Sequence, residues 1–233
     1  MAPTTILPPP NLPPITATPL TPAAFHPFGS VIQRPPPTTS TTTTTTTTTS
    51  TPTTVNQGTA QKHPKVSVIT TTQPPSGTPA PININIFVCA PRTLSGPARN
   101  TFACTILERH PYSSQSFIPL ALPPCADNDT ASRYLVIVAP TLRDVEGAPP
   151  DLEGLRAFVC SGVQGVTYAA GTWHAPMVAL GEVEVQFAVV VAENGVEGED
   201  TQEVGIAGGG VGVVVVGVGE GVGGLWGRTK ARF

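Results

Sequence analysis

From Ile82 onward the chain is written in short apolar stretches separated by proline, glycine and aspartate, with no long helical period, and this confines it to a mainly β fold. Ile82-Asn83-Ile84-Asn85-Ile86-Phe87 alternates apolar and polar residues, which predicts a half-buried strand. Residues 102–107, 116–120, 134–138, 156–159, 165–168 and 187–191 predict further short strands, and 66–69 a shorter one ahead of them. Many short strands at close spacing make a sandwich or a barrel. Helix is expected only in single turns. One lies after Thr21, a natural N-cap followed by Pro22, with Gly29 closing it before a strand; the other is at Asp151-Leu152-Glu153-Gly154-Leu155.

The rest of the chain is loose. Residues 1–20 are rich in proline and threonine and read as extended. Residues 34–54 are almost wholly threonine, serine and proline, unbroken from Thr41 to Thr49. No apolar face accompanies them, so burial cannot offset the entropy of ordering them, and they read as a disordered insertion. Residues 205–233 alternate glycine with valine, which specifies strand register poorly and reads as a disordered or weakly paired tail. One folded domain over 21–204, interrupted at 34–54, is therefore expected.

Charge and cysteine usage narrow the partners. With 12 basic and 15 acidic residues the net charge is −3, and the basic residues are scattered, which excludes a nucleic-acid footprint. The apolar stretch 204–225 holds many glycines and Glu220, so a membrane span is not expected. The beginning of the chain lacks a basic and apolar leader. Cys89, Cys104, Cys125 and Cys160 form no CxxC pair and sit among apolar neighbours, as free thiols of a reducing compartment do; a cytoplasmic location is the expectation.

Two histidines stand among turn-forming residues. In Glu108-Arg109-His110-Pro111, strand alternation puts Glu108 and His110 on one face and Arg109 on the other, with Gln115 across the turn. In Gly171-Thr172-Trp173-His174-Ala175-Pro176 a glycine permits a sharp turn and the tryptophan offers an apolar body. If the second segment pairs back on the barrel, His174 meets His110 across the interior. Two imidazoles with a carboxylate and an amide suit a divalent metal, and suit acid–base chemistry without one equally well. Arg156 lies in an apolar strand and, like Arg109, must pair internally, with Glu108 or Asp151, or await a substrate carboxylate. Tyr168 either lines the cavity or packs the core. His26 and His63 have surface or structural contexts.

The order Glu108-Arg109-His110-Pro111, Gln115, Phe117-Ile118-Pro119, then Pro150-Asp151-Leu152 and Leu155-Arg156-Ala157-Phe158, then Gln164-Gly165-Val166, Tyr168 and Trp173-His174-Ala175-Pro176 resembles the ureidoglycolate lyase family, its fungal members especially. Phe25-His26-Pro27-Phe28-Gly29 and Asn56-Gln57-Gly58-Thr59-Ala60 are similar to earlier motifs of that family. The resemblance implies a cupin-like β-barrel, a double-stranded β-helix, that releases urea from ureidoglycolate to leave glyoxylate in allantoin catabolism, working as a homodimer. It implies His110 and His174 as the acid–base pair, with Glu108 orienting His110. Gln115 and Asn56 would hold the urea amide, Arg156 or Arg109 the carboxylate, and Tyr168 and Gln164 would complete the substrate site. Glu108, His110, Gln115 and His174 fall where cupins carry metal ligands. Val88 and Gln186 stand where the family often has arginine and aspartate, and the tail departs from the family's more polar ending. Release of ammonia in place of urea, and non-catalytic binding of a small carboxylate, are the competing activities.

Overall fold

The structure, a computed structural model, describes residues 4–35, 52–120 and 133–216. The Thr41–Thr49 run, Cys125 and the chain beyond residue 216 lie outside these. Strands dominate and form two large sheets and a smaller one. An eight-stranded sheet is centred on Ile106–Arg109, Trp173–His174, Arg133–Ala139 and Arg156–Ser161. A five-stranded sheet runs in the order Gly29–Ile32, Gly165–Tyr168, Gln115–Leu120, Val185–Ala192, Ile82–Cys89. A three-stranded sheet joins Ile15–Thr16, Val211–Val214 and Thr101–Cys104.

The eight-stranded sheet is buried on both sides, which is why its strands read as unbroken apolar runs. Tyr134, Val136, Val138 and Phe158 face the five-stranded sheet and meet Phe117, Val166, Tyr168, Phe187 and Val189 in one core. Leu107, Leu135, Ile137, Ala157 and Trp173 face the other way, against Phe102, Cys104, Val211 and Val213. The first core is the interior of a cupin-like barrel; edge-to-face aromatic pairs such as Tyr134–Phe187, at 5.0 Å between ring centres, fill it.

The expected strands form, with 102–107 divided into Thr101–Cys104 and Ile106–Arg109. Thr21 caps the helix Pro22–Phe25 through its side-chain oxygen, which accepts the Ala24 N–H at 3.2 Å. Gly29 follows, and a Cβ there would lie 1.8 Å from the Thr167 carbonyl oxygen, so only glycine fits. Asp151–Leu155 is not a helix but a turn, with the Asp151 carboxylate accepting the Glu153 N–H at 3.1 Å. Residues 66–69 form no strand; Val68 and Ile69 are exposed.

Three boundaries move. The segment before residue 20 is extended but belongs to the fold: Thr4–Ile6 pairs in parallel with Gln202–Ile206, and Ala17 and Leu20 are buried. The threonine-rich insertion ends earlier than residue 54, because Thr53–Val55 pairs with Ala60–Lys62. The glycine–valine region is no loose tail as far as residue 216. The strand Gln202–Ile206 runs through the expected boundary, and Val211, Val213 and Val215 are buried. One of its glycines answers close packing: a Cβ on Gly210 would meet the Cys104 carbonyl oxygen at 2.3 Å.

The alternation at Ile82–Cys89 is inverted relative to a half-buried strand with its isoleucines inside. This strand is an edge of the five-stranded sheet, and Phe87 packs on Phe117 in the barrel at 5.6 Å between ring centres. By parity Asn83 and Asn85 face the barrel with Phe87. Ile82, Ile84 and Ile86 point outward and are 54%, 73% and 59% exposed.

Candidate active site

Both histidine segments are corners where the chain leaves one sheet for the other. The first carries it from Ile106–Arg109 to Gln115–Leu120, the second from Gly165–Tyr168 to Trp173–His174. The corners are tied together, since Gly171, at φ +78°, donates its N–H to the His110 carbonyl oxygen at 2.8 Å. This, rather than a local hairpin, is how residues far apart in sequence converge.

Register then fixes which side chains share the interior. Glu203, Glu108, His174, Val138 and Arg156 are successive partners across neighbouring strands, so all project from the same face of the eight-stranded sheet. Val138 belongs to the barrel core, which identifies that face as the inner one. From the five-stranded sheet, Gln115 and Tyr168 are partners and face them.

The result is a buried cluster. Donor atoms of Glu108, His110 and His174 all lie within 4.8 Å of one another. The two imidazoles stack at 5.8 Å between centres, and the Tyr168 ring lies on His174 at 4.0 Å and 12°. His174 Nε2 is 3.0 Å from Gln115 Oε1 and 3.5 Å from Glu108 Oε1, while its Nδ1 is 2.9 Å from the Thr172 carbonyl oxygen. The Nδ1 of His174 thus donates to a backbone carbonyl, and its Nε2 faces the side chains of Gln115 and Glu108. His110 differs. Its Nδ1 donates to the Asp200 carbonyl oxygen at 2.6 Å, leaving the Nε2 lone pair buried without a partner. The Tyr168 hydroxyl is also buried and unpartnered. The His110 Nε2 is thus available to a polar partner in the barrel interior, and the Tyr168 hydroxyl feels Cys160 more strongly than Glu108.

Electrostatics agree with these assignments. Burial, then the nearby charge of His174, pushes the His110 pKa below its ordinary value, which favours the neutral imidazole. Burial raises Glu108, but its hydrogen bond and attraction to His174, with that of His110, outweigh burial and hold its pKa below the usual carboxylate value. Burial pushes Tyr168 well above its ordinary pKa, so the phenol keeps its proton.

Four residues expected at the site lie outside this cluster. Arg109 points to the opposite face, as alternation requires. There it lies over Trp173 at 4.5 Å and donates to the Ala148 and Gly147 carbonyls and to Gln202 Oε1. It is structural. Gln164 stitches a turn, accepting the Ser161 N–H and donating to the Leu20 carbonyl and Gln33. Asn56 is exposed at the tip of the Thr53–Lys62 hairpin. Arg156 shares the inner face with His174, but two strands away, about 10 Å between backbones. It is exposed and bonds its own chain at the Leu155 carbonyl; no carboxylate among the described residues pairs with it.

Sequence reasoning missed Asn83, Asn85 and Glu193. Asn83 and Asn85 share the barrel-facing side of their strand with Phe87 and are half-buried. Asn85 Nδ2 donates to Glu193 Oε2 at 3.2 Å, and the Glu193 charge is felt at His110. A cavity of about 360 Å³ lies elsewhere, on the outside of the five-stranded sheet against Ile32, Val66 and Ile118. Cys104 and Cys160 are buried, and burial drives the Cys104 thiol up to about 12, so it plays no part as a nucleophile.

The sequence profile of the ureidoglycolate lyase family matches residues 12–211. The chain is 38% identical over 193 residues to a protein of Schizosaccharomyces pombe named ureidoglycolate lyase, covering 81% of this chain and 89% of that one. A Burkholderia mallei protein of the same name is 35% identical over 189 residues, covering 81% and 87%. One from Saccharomyces cerevisiae is 38% identical over 147 residues, covering 60% and 69%. The cluster lies inside the matched region, and with these matches the chain belongs to the ureidoglycolate lyase family.

Proposed function

We propose that this protein is a ureidoglycolate lyase, cleaving ureidoglycolate to glyoxylate and urea with His110 and His174 as its acid–base pair. The observation that carries the chemistry is the unpartnered His110 Nε2, buried beside His174, whose Nε2 faces Gln115 and Glu108. Ureidoglycolate holds hydroxyl, carboxylate and ureido nitrogen on one carbon. His110 Nε2 removes the hydroxyl proton as the oxygen becomes the aldehyde carbonyl, and the C–N bond breaks. His174 delivers its Nε2 proton to the departing nitrogen, so that urea leaves neutral and one proton has passed from oxygen to nitrogen with no water consumed. Glu108, 3.5 Å from His174 Nε2 and in one cluster with His110, orients the pair. Gln115, with Asn83 in place of the distant Asn56, offers amides to the ureido group. Arg156 on the inner face is the counter-ion for the carboxylate, and the Tyr168 hydroxyl is a donor to the substrate.

The same donor set fits a divalent cation: two imidazoles, a carboxylate and the Gln115 amide oxygen, with His110 Nε2 already unpartnered. A bound ion would polarise the hydroxyl or carboxylate of the substrate. The test is product analysis of purified protein on ureidoglycolate, with and without chelator. Urea and glyoxylate in equal amounts are expected; ammonia in place of urea refutes the lyase reading. His110→Ala and His174→Ala are each expected to lower turnover by about 10²–10⁴-fold while the protein stays folded. Near-normal turnover of either removes that histidine from the mechanism.

The lyase works as a homodimer that pairs on the outer face of the five-stranded sheet. Ile82, Ile84, Ile86 and Val88 of the edge strand lie beside Ile118 and Leu120, all exposed and with no charged residue among them. Their exposed fractions amount to roughly 500–600 Å², the upper end of what a monomer leaves bare. Two copies would bury about 1,000–1,200 Å² together, the threshold of a specific interface. Light scattering is expected to show a dimer that Ile84→Asp converts to a folded monomer; a monomeric wild type overturns this part.

A further inference from the structure

The strand Val185–Ala192 is followed by Glu193-Asn194-Gly195-Val196-Glu197-Gly198-Glu199-Asp200, a segment whose side chains bond its own backbone and also Ser76, Thr78 and Asn85. Asp200 places one carboxylate oxygen 2.6 Å from the Asn194 N–H and the other 2.6 Å from the Gly195 N–H. Its own N–H reaches the Val196 carbonyl at 3.2 Å. Asn194 in turn accepts from the Val196 N–H at 2.9 Å and donates to Glu199 at 2.8 Å, and Glu199 accepts the Ser76 N–H at 2.7 Å. Gly195 and Gly198, at φ +79° and +78°, allow the tight reversal. Two residues beyond, Gln202 ties the segment to Arg109 at 2.8 Å.

The N–H and both carboxylate oxygens of residue 200 are committed to residues 194–196, which holds the backbone there in place, and its carbonyl takes the His110 Nδ1–H. An imidazole nitrogen opposite a carbonyl can only donate, so this bond decides which tautomer exists. We propose that Asp200 is the positioning residue of His110, its carboxylate clamping residues 194–195 so that its carbonyl holds the proton on Nδ1 and turns the Nε2 lone pair into the barrel. Nothing in the local sequence marks Asp200 for this role, because the contact is made by its backbone and only enforced by its side chain. The idea rests on the reading of His110 as the base.

The test uses the full chain labelled with ¹⁵N and follows the imidazole tautomer by two-bond ¹H–¹⁵N correlation, beside steady-state kinetics. Wild type is expected to show His110 as the Nδ1–H form alone. In Asp200→Ala the tautomers are expected to mix and kcat to fall about 10–100-fold with KM nearly constant. Asp200→Asn keeps one acceptor for one of the two amides and is expected to fall between them; it serves also if the alanine variant does not fold. A variant whose His110 stays wholly Nδ1–H overturns the proposal, as does a loss of activity that only follows a loss of folded protein. If wild type shows the Nδ1–H form but does not turn over ureidoglycolate, the lyase reading fails while the clamp stands.

Discussion

Replacing Tyr168 by phenylalanine separates what the barrel needs for stability from what it needs for chemistry. The Tyr168 hydroxyl is buried with no hydrogen-bond partner. Burying a hydroxyl unpaired costs about 1–3 kcal/mol in mutational series. Phenylalanine keeps the ring where it is, stacked 4.0 Å from His174 and 6.0 Å and 6.1 Å from Phe117 and Phe25. The one-atom void it leaves takes back a few tenths of that gain. Tyr168→Phe is therefore expected to be more stable by about 1–2 kcal/mol, a rise of about 2–8 °C in Tm for a domain of this size. The urea midpoint should rise with no change in slope. Activity should move the other way. A hydroxyl that donates to a charged substrate contributes about 1.5–3 kcal/mol, so kcat/KM should fall about 10–100-fold. A lower midpoint would show that the hydroxyl has a partner in the folded protein. A higher midpoint with unchanged kcat/KM would show that it faces no substrate. Either result refutes the argument from orphaned atoms, and with it the placing of the substrate between Tyr168 and His110.

The two arginines should separate by assay. Arg109→Ala loses the Trp173 contact and the bonds to Ala148, Gly147 and Gln202, and is expected to lower stability by about 2–3 kcal/mol in urea unfolding while KM holds. Arg156→Ala should leave stability within about 0.5 kcal/mol and raise KM for ureidoglycolate about tenfold or more; an unchanged KM removes it as the carboxylate's counter-ion. Acidification should destabilise in two stages. Because the folded His110 pKa lies below 6.5, the unfolded chain binds a proton that the folded chain refuses, and stability falls as pH drops below about 6.5. The folded Glu108 pKa lies below 4.5, so its contribution is present above that pH and lost as pH falls through the depressed value. Urea midpoints between pH 4 and 8 check both stages, and His110→Asn should flatten the upper one.

Much of the fold is written plainly in the chain because its core strands are buried on both faces and therefore continuously apolar. Tyr134 to Val138 is such a run, and all of it is buried. The parity of Glu108, Arg109 and His110 was equally legible, since alternation along one strand needs no knowledge of the rest. What alternation cannot supply is the other sheet. Asn56 and Gln164 sit in motifs as regular as those at the site, but one ends on a hairpin tip and the other bonds a turn. Their exclusion depends on which corner meets which. Asp200 left no mark for a related reason: a carbonyl carries no residue identity. The glycine–valine region misled because glycine is ambiguous in sequence. At Gly210 it answers a neighbouring carbonyl too close for any side chain, and Gly212 packs against Pro14.

The edge strand Ile82–Cys89 shows most clearly why a pattern of period two fixes faces but not their direction. Isoleucines on one side and asparagines on the other are compatible with either side being inward. Phe87 breaks the tie, because it follows Ile86 where a polar residue would continue the repeat and so puts a large aromatic on the asparagine face. A strand with apolar residues on both faces has two surfaces to bury, one in the barrel and one against something else. The two family departures then take a different meaning from a lost substrate anchor. Val88 and Gln186 are direct partners, Val88 projects outward beside Ile86's neighbours, and neither reaches the histidines. An arginine and an aspartate at those positions would form a cross-strand ion pair on the outer face. This chain has valine and glutamine there; Val88 extends the apolar surface of Ile82, Ile84 and Ile86 by one more step, while Gln186 donates to Glu184 at 3.0 Å. In the proposed dimer these positions fall where copies of the chain would meet, and Arg156 is left as the proposed counter-ion of the substrate carboxylate.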